Sequence, residues 1–404
     1  MKPKLINNIK CTGCAACADV CRHHAIHMDY DKNGFLRPFI TEKNCIGCKA
    51  CEKTCPVLNF KKLPFHDIRE IKHYAAWSNN DEVCINASSG GIFSQLAINL
   101  LEENKDSIVF GAELSQNNTC VHIGVTKRTD LNKIIGTKYI QSNAEGTYKK
   151  VKKALSENQR VLYCGTPCQI AGLYATLGFK DNDNLFTAEL ICHGVGSKIT
   201  ADVATSYVGA ECIHSFRDKA DGWCGPNLER VSQKNTYKMS DGKMFRPVKN
   251  IYWEAFSTSH RLSCTSCPFA TLPRLADVSL GDLWGLYKQY PQRCTLGASL
   301  VLANSEKGNC MIRSRNIVAI EHPKSQINCY TLFYPGTSRF MQLSNLLFLI
   351  NKLPTNIAFY IMSMNWRKIP FLIPLKIVFK YISKYHLKAT LKSIDNTKRR
   401  LKWQ

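Results

Sequence analysis

The feature that most constrains this chain is a cysteine run that occurs twice near its start. Cys11-Thr-Gly-Cys14-Ala-Ala-Cys17-Ala-Asp-Val-Cys21 is echoed by Cys45-Ile-Gly-Cys48-Lys-Ala-Cys51-Glu-Lys-Thr-Cys55-Pro56, with a period of 34 residues. A four-iron cluster needs four thiolates converging on a cube. A Cys-x2-Cys-x2-Cys loop wraps three corners, because two intervening residues let the backbone curl round the core, and the fourth thiolate comes from the other half of the repeat. The spacing therefore predicts two 4Fe-4S clusters, one on Cys11, Cys14, Cys17 and Cys55, the other on Cys45, Cys48, Cys51 and Cys21. Zinc also uses Cys-x2-Cys pairs, but two four-cysteine runs of identical spacing are hard to reconcile with it. The first half departs from the ferredoxin pattern in one respect: Arg22 stands where the second half has Pro56.

The chain is 404 residues long, enough for two or three domains that bury their own cores without crosslinks. Its 20 cysteines, eight of them before residue 56, are not spaced like a secreted disulfide framework. The N-terminus has no apolar run of signal-peptide length, which gives a cytoplasmic expectation. The net charge is +23 and uneven: from Asn345 to Gln404 there are twelve Lys or Arg against one acid, Asp395. Lys376, Lys380, Lys384 and Lys388 would line one face of a helix. Prolines 354, 370 and 374 interrupt any run of spanning length. The tail thus reads as basic, amphipathic and helical, suited to peripheral contact with an anionic membrane at its inner surface or to an acidic protein. A nucleic-acid role would explain none of the cysteines, and the sequence sets no oligomeric state.

Between module and tail, Val161–Cys164, Phe186–Cys192 and Val278–Leu280 read as buried strands, and Gly91–Leu101 and Gln169–Leu177 as helices. A polar linker spans Lys61 to Lys72, and Asp31–Gly34 marks a turn between strand-like runs at 25–30 and 35–40. The expected division is 1–62 for the cluster module, 73–155 and 156–335 for two parts of one α/β body, and 345–404 for the tail.

Six motifs follow in order: Ser88-Ser-Gly-Gly91-Ile-Phe, Gly136-Thr-Lys-Tyr-Ile-Gln-Ser142, Gly165-Thr-Pro-Cys168-Gln, Ile191-Cys-His-Gly-Val195, Cys264-Thr-Ser-Cys267-Pro-Phe and Gly281-Asp-Leu-Trp-Gly285. With the cysteine repeat, over roughly residues 1 to 320, this order resembles the coenzyme F420 hydrogenase/dehydrogenase beta-subunit family. The resemblance implies an enzyme, an iron–sulfur flavoprotein that binds FAD and relays electrons between clusters and a soluble acceptor such as a deazaflavin. The fold expected is then an α+β ferredoxin-like dicluster module, an α/β flavin-binding redox domain and the helical basic tail.

Each motif also has a physical reading. Ser88, Ser89, Gly90 and Gly91 before a helical segment offer donors for a phosphate, or a plain helix cap. Lys138 supplies a cation for FAD phosphate, or is merely solvated. Gly165 and Thr166 turn from a strand into a helix that carries Cys168, at a sheet edge where ligands bind. Cys168, Cys192, Cys264 and Cys267 make four thiolates and so a candidate third 4Fe-4S cluster, against the plainer reading of buried core cysteines. His193 is the candidate proton donor, with a structural hydrogen bond as its alternative. Asp282 either touches the flavin surroundings or caps a turn. The Phe216–Lys219 segment reads as surface salt pairing or the frame of a substrate opening, and the other cysteines as packing. Partners are a redox protein or a small-molecule acceptor; the competing class is an electron-transfer subunit with no substrate of its own.

Overall fold

The computed structural model describes residues 3–7, 9–223, 234–248, 251–256, 259–283, 285, 289–322 and 353–355. The tail expected from residue 345 lies outside these apart from 353–355, as do Cys224 and Cys329.

The sequence repeat is a backbone repeat. Gly13 and Gly47 take φ of +68° and +72°, and Ala15 and Lys49 take +69° and +60°. Each loop then enters a short helix, α1 (Ala16–Asp19) or α2 (Ala50–Thr54). Left-handed residues among right-handed ones turn successive N–H groups inward, making a concavity suited to anionic sulfide. Gly13 is also crowded: a Cβ there would lie 2.7 Å from both the Gln141 side chain and the Leu36 carbonyl. The two expected runs form an antiparallel hairpin of β1 (Ile26–Tyr30) and β2 (Leu36–Ile40). Its turn is held by Asp31 Oδ1, which accepts from the N–H groups of Asn33 and Phe35 at 2.9 and 3.1 Å.

The body is a mixed sheet built from both of its expected parts. Its strands are β3 (Lys72–Ser78), β4 (Ser107–Leu114), β5 (Cys120–Val125), β6 (Ser142–Asn143), β7 (Arg160–Gly165) and β8 (Leu185–Leu190). A three-stranded satellite sheet of β9 (Cys212–Asp218), β10 (Lys234–Lys238) and β11 (Met244–Phe245) follows, before β12 (Val278–Asp282), β13 (Ser299–Ala303) and β14 (Ile317–Glu321) complete the large one. Among the described residues the large sheet has nine strands in the order β14-β3-β13-β12-β8-β7-β4-β5-β6. Its centre, β12-β8-β7-β4, is parallel.

A parallel sheet must be covered on both faces. α3 (Asp81–Ile85) follows β3 and shares a core with its Ala75 and Trp77 through Cys84, while the opposite face carries α4 (Ile92–Glu103), whose Ile92, Leu96 and Leu100 share a core with Val109, Leu162 and Val301. The other carries α5 (Thr147–Ser156) and α6 (Pro167–Thr176). Ala16, Met28 and Leu36 of the cluster module join the same core as Tyr148, Ile170 and Leu173 of those helices, so the module is packed onto the body. Two further helices, α7 (Lys198–Val208) and α8 (Ile251–Phe256), pack with the satellite sheet.

The expected linker 61–72 is pinned down rather than free, a correction with a plain cause. Apolar residues inside and beside it find partners: Phe60 and Phe65 pack at 5.0 Å between centroids, Phe60 lies 5.7 Å from Phe269, and the His66 N–H donates to the Arg274 carbonyl at 3.0 Å. Among the described residues, no helix is long and apolar enough to cross a membrane.

Candidate functional site

Two cysteine-lined cavities and one cleft follow one another through the molecule. Cys11, Cys14, Cys17 and Cys55 surround one cavity of about 440 Å³, which Cys51 also reaches. Burial and the neighbouring Cys55 sulfur push the Cys14 thiol well up, and burial with Cys11, Cys55 and Cys51 does the same to Cys17. Cys51 is buried, Cys45 and Cys21 are half-buried, and Cys48 is exposed. Of the eight module cysteines, Cys48 alone is exposed.

Cys168, Cys192, Cys264 and Cys267 come together around a cavity of about 460 Å³. Cys168 opens α6 directly after β7, Cys192 follows β8, and Cys264 and Cys267 lie in and just after a short 3-10 turn (Leu262–Ser266). Two strand ends and one turn thus deliver four sulfurs from positions about a hundred residues apart. Burial and the nearby Cys264 and Cys168 sulfurs push the Cys192 thiol up to about 12. Burial and Cys168 push Cys264 up to about 11. Among the described residues no three His, Cys, Asp or Glu side chains close on a point as ligands of a single ion do. The sulfurs ring cavities instead.

Adjacent sites share walls. A Cβ on Gly172 of α6 would lie 3.3 Å from the Cys14 sulfur, and Thr12 lines the Cys168 cavity. Gln141, Thr166 and Val195 line both that cavity and the cleft beyond it.

The cleft encloses about 1020 Å³ and opens at the carboxyl ends of the parallel strands, lined there by Gly165, Leu190 and Asp282. Ligands bind at this edge in open α/β sheets. Ser88, Ser89, Gly91, Lys138, Gly165, Thr166 and Asp282 all line it. The hydroxyl hydrogen of Ser89 is not left for a ligand, however, whereas that of Ser88 is. Ser88 Oγ accepts from the Thr137 N–H at 2.7 Å, Ser89 Oγ donates to the Ala298 carbonyl at 2.7 Å, and the Gly90 N–H donates to Ser299 Oγ at 3.0 Å. The cleft is also lined by Gly91, the N-cap of α4 at φ +79°, and by Ile92, Phe93 and Ser94 of its first turn.

Lys138 is half-buried, and its ammonium donates to the carbonyls of Ile135 at 2.7 Å and Lys133 at 3.4 Å. Burial pulls it down to about 8, so it remains mostly charged at neutral pH. Asp282 accepts two contacts from Arg217 Nη1, at 2.9 and 2.8 Å. Arg217 is buried, and Lys219 holds the carbonyls of Cys84, Ser89 and Leu296. The expectation of surface salt pairing in Phe216–Lys219 is therefore corrected: Phe216 and Arg217 are buried, and Arg217 of β9 and the following Lys219 brace the cleft loops from inside. His193 is exposed and lies outside the cleft lining. Cys310, expected in packing, is exposed, whereas Cys84, Cys120, Cys212 and Cys294 are buried.

Three polar residues carry the arrangement, and two of them, Arg261 and Asp19, have no local sequence signal. Arg261 is fully buried. Its Nε donates to the Cys11 carbonyl at 3.1 Å, its Nη2 to the Leu36 carbonyl at 2.6 Å, and its Nη1 to Gln141 Oε1. Gln141 Nε2 in turn donates to the carbonyls of Thr12 and Gly13 at 2.9 and 3.1 Å. The Asp19 carboxylate accepts from the N–H of Gly146, from that of Tyr148 at 2.8 Å and from that of Lys149 at 3.3 Å, capping α5 from the module.

His122, on β5, lines the cleft and stacks on Tyr163 at 5.4 Å. Its Nε2 lies 2.9 Å from the Cys164 carbonyl and so carries the hydrogen, leaving Nδ1 to accept from Ser142 Oγ at 2.7 Å. Burial lowers this imidazole from 6.5 to about 4. The folded chain thus resists the proton that the unfolded chain takes up, and stability present above pH 6.5 is lost as pH falls towards 4. Between pH 7 and 5 this removes about 2 kcal/mol. Urea unfolding of His122→Gln should show a correspondingly shallower acid loss than wild type; an unchanged pH slope would contradict this.

The cluster module with its twin loops, docked on a mixed α/β sheet, defines an iron–sulfur electron-transfer protein, and residues 10–59 match the 4Fe-4S dicluster domain. Residues 73–146 match the N-terminal domain of the coenzyme F420 hydrogenase/dehydrogenase beta subunit, and residues 158–322 match its C terminus. The chain belongs to the coenzyme F420 hydrogenase/dehydrogenase beta-subunit family. Among solved structures, it is similar to a chain of the F420-reducing [NiFe] hydrogenase complex from Methanosarcina barkeri, at 19% identity and a TM-score of 0.44, over 72% of this chain and 91% of that one. Comparison with curated proteins finds no match.

Proposed function

We propose that this chain is an iron–sulfur flavoprotein oxidoreductase, with two clusters on the module, a third on Cys168, Cys192, Cys264 and Cys267, and FAD in the cleft. The observation that carries the reading is the continuity of walls: the Cys11 cavity, the Cys168 cavity and the cleft follow one another, with Thr12, Gln141 and Thr166 between them. Bound there, the clusters carry single electrons and FAD exchanges them for the two-electron chemistry of an organic acceptor.

The residues present fit these groups. Closely packed thiols that burial and mutual repulsion hold protonated are a donor set that only a strongly cationic core can ionise. The cleft offers the start of α4 and the Lys138 ammonium to a pyrophosphate. The glycines at 91, 136 and 165 let backbone approach a planar ring; a Cβ on Gly136, at φ +77°, would project into open space. Arg261 and Gln141 fix the shared wall, and the module's packing on α5 and α6 excludes water from it. His122, neutral at pH 7, presents a polarisable ring without adding charge.

The acceptor is an F420-type deazaflavin or another organic molecule. The test is to poise the anaerobic holoprotein reduced and add candidate acceptors while following flavin and cluster absorbance. Stoichiometric reoxidation of flavin by a soluble acceptor supports the reading. Clusters that cycle beside a silent or absent flavin would replace it with a subunit that only feeds a partner enzyme.

A further inference from the structure

The cluster module has one covered side and one open side. Cys11 is buried and Cys14 lies in the core shared with α5 and α6, whereas Cys48 is exposed and Cys45 half-buried. Around them the surface has a definite chemistry. Ile46 is 66% exposed, so a large apolar side chain stands in water in the loop between Cys45 and Cys48. Lys43, Lys49 and Lys53 are exposed on the same loop and helix, against one exposed acid, Glu42. The other carboxylate of the segment, Glu52, is half-buried and accepts from the Lys4 N–H at 2.7 Å.

A small apolar centre with a charged rim is the make-up of a brief electron-transfer encounter, which buries little area and relies on charge for steering. The excess of lysine sets the sign of the partner. We propose that the face formed by Lys43, Ile46, Cys48, Lys49 and Lys53 docks an acidic one-electron carrier protein, which exchanges electrons with the chain through the quartet that includes Cys48. In each encounter one electron leaves the reduced carrier and enters this chain; the carrier is oxidised, the chain is reduced, and no bond is made or broken. The inference rests on the cluster assignment proposed above and names where its electrons enter.

The experiment uses the full-length holoprotein and two reductants: a reduced acidic [2Fe-2S] ferredoxin, and photoreduced deazariboflavin, which is small and uncharged. Cluster bleaching is followed after rapid mixing, in wild type and in the combined variant Lys43→Glu, Lys49→Glu, Lys53→Glu. These side chains are exposed and hold nothing inside the fold, and iron content checks that the clusters remain. The second-order rate with ferredoxin should fall at least about tenfold in the variant, the wild-type rate should fall steeply with added salt, and the deazariboflavin rate should be unchanged. Equal ferredoxin rates in the two proteins would overturn the docking face. So would a wild-type preference for a basic carrier, or a wild-type dimer that the variant abolishes. If neither reductant bleaches the wild-type chain, the cluster assignment fails instead.

Discussion

Replacing Cys168 by Ser is expected to leave about eight irons per chain in place of about twelve, and to slow cluster-driven reduction of the flavin by on the order of 100-fold or more. Cys168 sits where two compartments meet. Its sulfur lies 3.2 Å from the Thr166 hydroxyl, which lines the cleft, and its helix carries the glycine against which Cys14 packs. Losing that thiolate breaks the chain of sites at its middle while leaving both ends intact. Iron analysis, with stopped-flow reduction followed separately at cluster and flavin wavelengths, distinguishes this from general damage: the module should bleach at the wild-type rate and the flavin should lag. If iron content and flavin reduction were both unchanged, Cys168, Cys192, Cys264 and Cys267 would be ordinary buried cysteines.

The second large effect is expected at Asp19. This buried carboxylate closes the first turn of α5 across the boundary between module and body, accepting three backbone N–H groups. Asp19→Ala leaves those donors without their partner, a cost of about 3–5 kcal/mol. The melting temperature should fall by about 5 °C. Asp19→Asn keeps one acceptor oxygen and should fall by roughly half as much. Thermal unfolding of the three holoproteins checks the order; a fully stable Asp19→Ala would mean that the module is held by its apolar contacts with α5 and α6 alone.

What the sequence makes legible follows from how local the physics is. A cluster loop is a few residues of fixed geometry, so the spacing from Cys11 to Cys55 displays it directly. Gly165-Thr-Pro-Cys168 is similar: a buried strand, a turn and proline at the first helical position are all neighbours in the chain, and together they place that cysteine at the sheet edge. The hydroxyl of Ser89 shows where this reasoning misdirects. A small polar residue before a helix looks like a ligand donor, but Ser89 Oγ gives its hydrogen to the Ala298 carbonyl, and only the fold reveals that neighbour.

Arg261, Asp19 and His122 were illegible for the same reason. Each is a buried polar residue whose partners lie far away in sequence: Arg261 and Cys11 are 250 positions apart, and Asp19 and Tyr148 are 129. Nothing in Ser259-His-Arg261-Leu or Val121-His122-Ile123 distinguishes them from surface residues. The motif Gly136–Ser142 did carry a signal, though it points to the cation at 138. The structure gives the bridging position to Gln141, whose amide can donate to the module and accept from Arg261 at once, which a lysine cannot do.

The most direct test of the central claim is quantitation of iron, acid-labile sulfide and flavin in the chain purified without oxygen. The account predicts about twelve irons, as many sulfides and one FAD per chain. A colourless protein holding zinc and no flavin would contradict it.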